Sequence, residues 1–218
     1  MSLPAARPNA LLLFTSTCPH CPVVLAGLTD LANAGLIGKL ETTNIELLPE
    51  VASRFGVRTV PWVRLGPFEL EGLHSPAELR HWAERATQPH ALAGYFRDLL
   101  KDGRLAKVTD YLRRENQSLA ELLHLLDDRE LEITVRIGIN AVFEELEGDP
   151  LLGPAFEKLA LVTTDENAQR RADAAHLLSL THDPRAIPLL EGLLGDANAD
   201  AREVAVEGLE RLRAGRRH

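Results

Sequence analysis

The sequence predicts two folds in one chain: an α/β unit over residues 1–88 and an all-α unit over residues 89–218. Three observations carry this reading. Short apolar runs alternate with helical patterns as far as Thr87-Gln88-Pro89, and beyond that point amphipathic helices take over. Charge shifts at the same place, from seven Lys/Arg against eight Asp/Glu up to Gln88 to 17 against 24 afterwards. The later part also repeats itself. Asp149-Pro150, Gly153-Pro154 and Phe156 recur 34 residues on as Asp183-Pro184, Ile187-Pro188 and Leu190. Arg171, Ala174 and Leu178 recur 31 residues on as Arg202, Ala205 and Leu209. Periods of this length mean stacked helical pairs.

The elements of the first unit follow in order. Residues 1–9, with Pro4 and Pro8, form a leader. The apolar run Ala10-Leu11-Leu12-Leu13-Phe14 reads as a buried strand. Residues 19–34 read as a helix with Val23, Val24, Leu28 and Leu31 on its apolar face and Gly35 as its stop. Residues 39–46 read as a second strand, though with poor alternation. Residues 49–56 read as a short helix, Pro near its start and Gly at its end. The strand-like run 57–65 contains Val60-Pro61, where proline marks a break or a cis peptide. Gly66-Pro67 turns it into a hairpin with residues 68–72. Ser75, Pro76 and Glu78 then form a capping box that opens a helix to about Thr87.

Both cysteines of the chain lie in Thr17-Cys18-Pro19-His20-Cys21-Pro22, between the first strand and the first helix. A Cys-x-x-Cys at such a junction points to thiol–disulfide chemistry. Free N–H groups and the dipole at a helix N-terminus favour the thiolate, which is the nucleophile. Cys18 is therefore expected to attack, with Cys21, one turn on, as the resolving thiol. Protonated His20 adds a second positive influence on Cys18, and Pro19 suits a first helical turn. Two plain buried cysteines or a zinc site are the alternatives. Zinc requires four ligands in a structural site, and His176 and His182 lie far away in a helical repeat pattern. No metal or other cofactor is expected.

Composition bounds the rest. The chain has 218 residues, 45% hydrophobic and 26% charged, as in ordinary globular proteins. Its net charge of −8 argues against a nucleic-acid partner. No apolar run approaches a membrane span. The first fifteen residues hold one Arg and lack a cleavage site, so a signal peptide is not expected. The expected compartment is the cytoplasm, where a disulfide is catalytic rather than structural.

The order β-α-β-α-β-β-α, with Cys18-Pro19-His20-Cys21 after the first strand and Val60-Pro61 before the hairpin, resembles the thioredoxin superfamily over residues 8–88. Without a long N-terminal βα unit it looks closer to the minimal, glutaredoxin-like form. The Cys-Pro-His-Cys centre is similar to that of the periplasmic disulfide oxidases. The resemblance implies a thioredoxin-like fold in which Thr59, Val60 and Pro61 form a cis-proline loop that pairs with the substrate strand. Three positions depart from the pattern. Thr17 stands where thioredoxins carry Trp, and Leu12 where they carry a buried acid. Gly72-Leu73-His74-Ser75 stands where glutaredoxins carry a glutathione-binding turn.

The second unit resembles HEAT-like repeats of the phycobilin-lyase type over residues 136–212. The match lies in the small-residue run 171–178, the Asp183-Pro184 turn and the second helical run 185–190. Residues 99–115 and 118–126 are expected to be helices of a degenerate repeat or cap. The resemblance implies a helical solenoid that docks a protein partner on its concave surface. His124, His176 and His182 are expected to be packing or surface residues, and the Arg-rich tail 211–218 a frayed helix end.

Two functions follow. One is a cytoplasmic thiol–disulfide oxidoreductase whose repeats dock a protein client. Its direction is open, since the cytoplasm points to reduction with a cellular thiol as reductant and His20 points to oxidation. The other is an interaction scaffold or redox sensor in which the repeats are the working part.

Overall fold

The computed structural model describes residues 7–215. Residues 1–6 of the leader and 216–218 of the tail lie outside the described residues. The chain forms two compact units, residues 1–92 and 93–218.

The first unit runs β1 (Ala10–Phe14), α1 (Cys21–Asn33), β2 (Leu40–Asn44), α2 (Pro49–Phe55), β3 (Trp62–Leu65), β4 (Phe68–Glu71) and α3 (Pro76–Arg85). The strands form one mixed sheet in the order β2-β1-β3-β4. β1 pairs parallel with β2 and antiparallel with β3, and β3 pairs antiparallel with β4. Side chains alternate between the two faces of each strand. Trp62 and Arg64 share one face, and the ring of Phe55 from α2 stacks there, 5.0 Å from that of Trp62. Val63, Leu65, Phe68 and Leu70 share the other, where Phe68 meets Trp82 of α3 at 4.9 Å. α1 packs beside α3. Gly27 lies at this contact, and a Cβ there would come within 2.8 Å of Leu79 Cδ1, so the leucine would have to shift.

Local rules account for several boundaries. Ser75 caps α3, accepting from the Glu78 amide while the Glu78 carboxylate accepts from the Ser75 amide. α2 closes on Gly56 at φ 65°, a left-handed residue of the kind glycine adopts freely. β2 is an edge strand with two of its five residues exposed and none fully buried, which is why its hydrophobic pattern is weak. The run 57–61 is not strand. Pro61 cannot donate to the ladder, and pairing begins at Trp62.

The remainder is helical: α4 (Ala91–Lys101), α5 (Leu105–Arg114), α6 (Leu119–His124), α7 (Ile133–Glu145), α8 (Ala155–Val162), α9 (Ala168–Leu180), α10 (Ala186–Leu193) and α11 (Ala199–Gly215). Short 3-10 turns occupy Asn116–Ser118, Leu125–Asp127 and Pro150–Leu152. The single helix expected over 99–115 is corrected: it is two helices, broken at Lys101-Asp102-Gly103, where Gly103 has φ 70°.

In this unit helices pack on near neighbours in sequence. α7 and α11 both pack on α9, α8 packs on α9, and α10 packs on α11. Polar side chains record the same spacing. Arg97 bonds Asp128 at 2.6 Å, Lys101 bonds Glu132 at 3.1 Å, and Arg113 bonds Glu145 at 3.2 Å. His176 meets Glu144 at 3.2 Å, His182 meets Glu147 at 2.9 Å, and Arg211 bonds Ser179 at 3.0 Å. Lys158 bonds Asp127. The partners in all seven pairs are 31 to 35 residues apart. Small residues permit the close approach: a Cβ at Gly208 in α11 would lie 3.1 Å from Ser179 Cβ in α9. An ion pair ties α9 to the loop between α10 and α11. Arg171 grips Asp196 through Nε and Nη2 at 2.7 and 2.6 Å. This bidentate contact holds the Asp196 carboxyl down from 3.8 to about 2.

Candidate redox site

The site begins where β1 runs out. Cys18 and Cys21 form a disulfide, with their Cα atoms 5.6 Å apart. Both lie at a strand-to-helix junction, but the helix starts later than the sequence implies. His20 is the N-cap and Cys21 the first helical residue, with Pro22 in the first turn. Pro19 therefore precedes the helix instead of occupying its first turn, and Cys18 stands two residues before the cap. The helix still reaches it: the Cys21 amide, one of the unpaired N–H groups of the first turn, donates to Cys18 Sγ at 3.2 Å.

The two sulfurs differ in access. Cys21 is buried, 5% exposed, under the start of α1. Cys18 is half-buried, and its neighbours Thr17, Pro19, His20, Pro22 and Val23 are exposed. An incoming thiol thus meets Cys18 first.

The register of the sheet brings a second segment to this end. Leu13 near the end of β1 pairs with Trp62 at the start of β3. The chain leaving β1 and the chain entering β3 therefore lie at the same end of adjacent strands. Thr59-Val60-Pro61 is that entering chain, and the Val60–Pro61 peptide bond is cis. Thr59 is exposed, Val60 half-buried and Pro61 buried. The Pro61 carbonyl accepts from the Gly72 amide at 2.8 Å, tying the loop to the exit of β4. Among the described residues, no backbone partner pairs with the N–H or C=O of Val60.

Three further residues hold the approach to Cys18. The Ser16 amide donates to Glu46 Oε2 at 2.9 Å, and the Asn44 amide group donates to Ser16 Oγ at 2.9 Å. The Glu46 amide donates to Asn44 Oδ1 at 2.9 Å. The Ser16 backbone N–H, and then its hydroxyl, hold the Glu46 carboxyl below its ordinary range. Sequence reasoning missed this clamp, because its members are 28 and 30 residues apart. Only the parallel pairing of Phe14 with Asn44 makes them neighbours. His74 was also passed over. It follows β4 at the same end of the sheet, and among the described residues both its ring nitrogens are buried without a hydrogen-bond partner. Leu12, the position where the resemblance called for an acid, is a core side chain, 1% exposed.

The distant histidines take up pairing roles. His124 bonds Asp127, and His176 and His182 bond Glu144 and Glu147. Among the described residues no three His, Cys, Asp or Glu side chains converge to hold a metal ion. Among those residues, too, no helix is long and apolar enough to cross a membrane. No protein-family model and no curated protein matches this sequence.

Proposed function

We propose that the chain is a thiol–disulfide oxidoreductase acting on a protein client, with Cys18 as nucleophile and Cys21 as resolver. The observation that carries this is the asymmetric disulfide: one sulfur at the surface, the other beneath it at the start of a helix. In the reducing direction the Cys18 thiolate attacks a client disulfide and displaces one client sulfur as thiolate. The Cys21 thiolate then attacks Cys18 Sγ, releases the second client thiolate and closes the Cys18–Cys21 bond. A cellular dithiol restores the starting state. The oxidising direction is the same sequence reversed.

The thioredoxin-like reading is supported by the mixed four-stranded sheet, the junction of β1 with α1 and the cis bond before Pro61. In this reading Val60 offers its unpaired backbone groups to an extended client segment, as the cis-proline loop does in that superfamily. His20, exposed beside Cys18, acts as a tuner of the thiolate. The HEAT-like reading is supported by side-chain pairs that repeat at one helical-pair spacing, and it assigns this unit to partner docking. The proposed compartment is the cytoplasm.

A buried Leu12 favours a second reading. With Leu12 standing where a carboxylate would serve proton transfer at Cys21, the site lacks that base, and a scaffold or redox sensor needs none. Turnover of a generic protein disulfide, such as insulin with a dithiol as reductant, separates the two. The proposal expects turnover that Cys18→Ser abolishes. A reaction that Cys18→Ser leaves unchanged would sink the enzyme reading.

A further inference from the structure

A groove of about 510 Å³ lies within the second unit, between the 3-10 turn that follows α5 and the one that precedes α8. Its size falls in the range of ligand sites, roughly 300–1,000 Å³. Asn116 and Gln117 of the first turn stand on one side, and Pro150, Leu151 and Pro154 on the other. Leu119 and Leu123 of α6, 1% and 6% exposed, lie beneath. α6 itself packs on α8.

Both charged residues of the lining already have partners. Arg113 donates to Glu145 Oε1 at 3.2 Å. Asp149 Oδ1 accepts from the Leu151 amide at 2.9 Å and so caps the Pro150–Leu152 turn. A charged ligand would thus enter with no unpaired ion to meet it.

The polar groups left over are the side-chain amides of Asn116 and Gln117. Both residues are exposed, and among the described residues neither side chain makes a hydrogen bond. A primary amide donates and accepts side by side, which matches a peptide bond whose N–H and C=O are open. A helix has used those groups internally, whereas an extended segment has not. Pro150 and Pro154 fix their own φ and the Asp149 cap holds the turn, so one wall needs little ordering when a ligand arrives.

We propose that this groove binds an extended, uncharged, leucine-bearing segment of a partner protein. Its backbone pairs with the amides of Asn116 and Gln117, and its apolar side chains lie on Leu151 and the two prolines, above Leu119 and Leu123. The inference rests on the docking role given to the second unit and not on the redox reading.

Isothermal titration of the full chain tests it with three peptides, each acetylated and amidated to remove the terminal charges. The first is Gln-Leu-Pro-Leu-Ser-Leu-Gln. The second is the same peptide with the serine and the leucine after it N-methylated, which removes two backbone donors. The third has glutamate in place of the serine. The first is expected to bind at one site per chain, with an affinity that holds between about 50 and 500 mM salt because no ion is engaged. The second and third are expected to bind about tenfold more weakly. Asn116→Ala with Gln117→Ala is expected to weaken the first peptide by about tenfold as well. The proposal is overturned if the first peptide does not bind, if the N-methylated or the glutamate peptide binds as well, or if the double variant, shown folded by circular dichroism, keeps the affinity. In that last case peptide docking on this chain stands and only its placement in the groove falls. The comparison of peptides uses the unaltered protein, so it decides even if the variant misfolds.

Discussion

In the first unit Leu13 and Trp62 are neighbours although 49 residues separate them, whereas in the second seven polar pairs recur at 31 to 35 residues. The sheet gathers distant segments to one end, and the candidate chemistry sits there in a few loops. The helical unit is built chiefly from helices that meet others one or two elements away. A site built like the first depends on a handful of residues that cannot be exchanged. A unit built like the second spreads its stability over many similar contacts, and its specificity lies in whichever side chains the packing leaves unpaired.

The largest effect expected lies at the disulfide. Cys18→Ser abolishes disulfide turnover, whereas Cys21→Ser leaves a nucleophile with no resolver. The latter is expected to accumulate a mixed disulfide with client or with a small-molecule thiol, visible as a mass increment that dithiothreitol removes. If Cys21→Ser shows no adduct and Cys18→Ser does, the roles are reversed and exposure is not what sets them.

Core truncation comes next, and it compares the two units directly. Phe143 in α7 and Trp62 in β3 are both buried, 0% and 2% exposed. Each change to Ala is expected to destabilise its own unit by about 3–5 kcal/mol, read from urea unfolding of the full chain. A far smaller loss for Phe143 would show that the helical unit relaxes around a cavity better than the sheet does.

The helix cap gives a smaller effect. Ser75→Ala removes one half of the capping box on α3 and is expected to cost about 1 kcal/mol, again by urea unfolding. An unchanged midpoint would mean that packing against α1 alone holds α3.

The smallest effect is a dependence on pH in the second unit. Asp196 has its carboxyl lowered to about 2 by Arg171. A lowered carboxyl contributes stability that is complete above its unfolded value near 3.8 and is lost as pH falls through that value to about 2. Asp196→Asn is therefore expected to be less stable than the parent at pH 7, with the difference shrinking below pH 4 and gone near pH 2. A difference that stays constant with pH would show that the carboxylate charge contributes nothing there.

Much of this molecule was legible from local pattern. β1, the hairpin turn at Gly66-Pro67 and the Ser75–Glu78 capping box each depend on neighbours within a few residues, and each was read correctly. The cysteine pair was legible for the same reason. The failures have a different origin. β2 reads poorly because an edge strand need not bury either face. The break at Gly103 was hidden because Leu99, Leu100 and Leu105 continue a helical pattern across it. Helix α1 begins at Cys21 and not at Pro19, a matter of cap geometry that the composition of the segment does not encode. The Ser16–Asn44–Glu46 clamp was invisible, since it depends on which distant groups the fold brings close.

The central claim is that Cys18 and Cys21 exchange electrons with thiols, and one measurement tests it most directly. The protein would be equilibrated in graded thiol–disulfide buffers, free thiols trapped by alkylation, and the mass shift read at each potential. The account predicts one reversible two-electron transition between about −120 and −270 mV, the span of oxidoreductase centres. A disulfide that stays closed below about −300 mV would be structural. That result, or the absence of any reversible disulfide, would contradict the account.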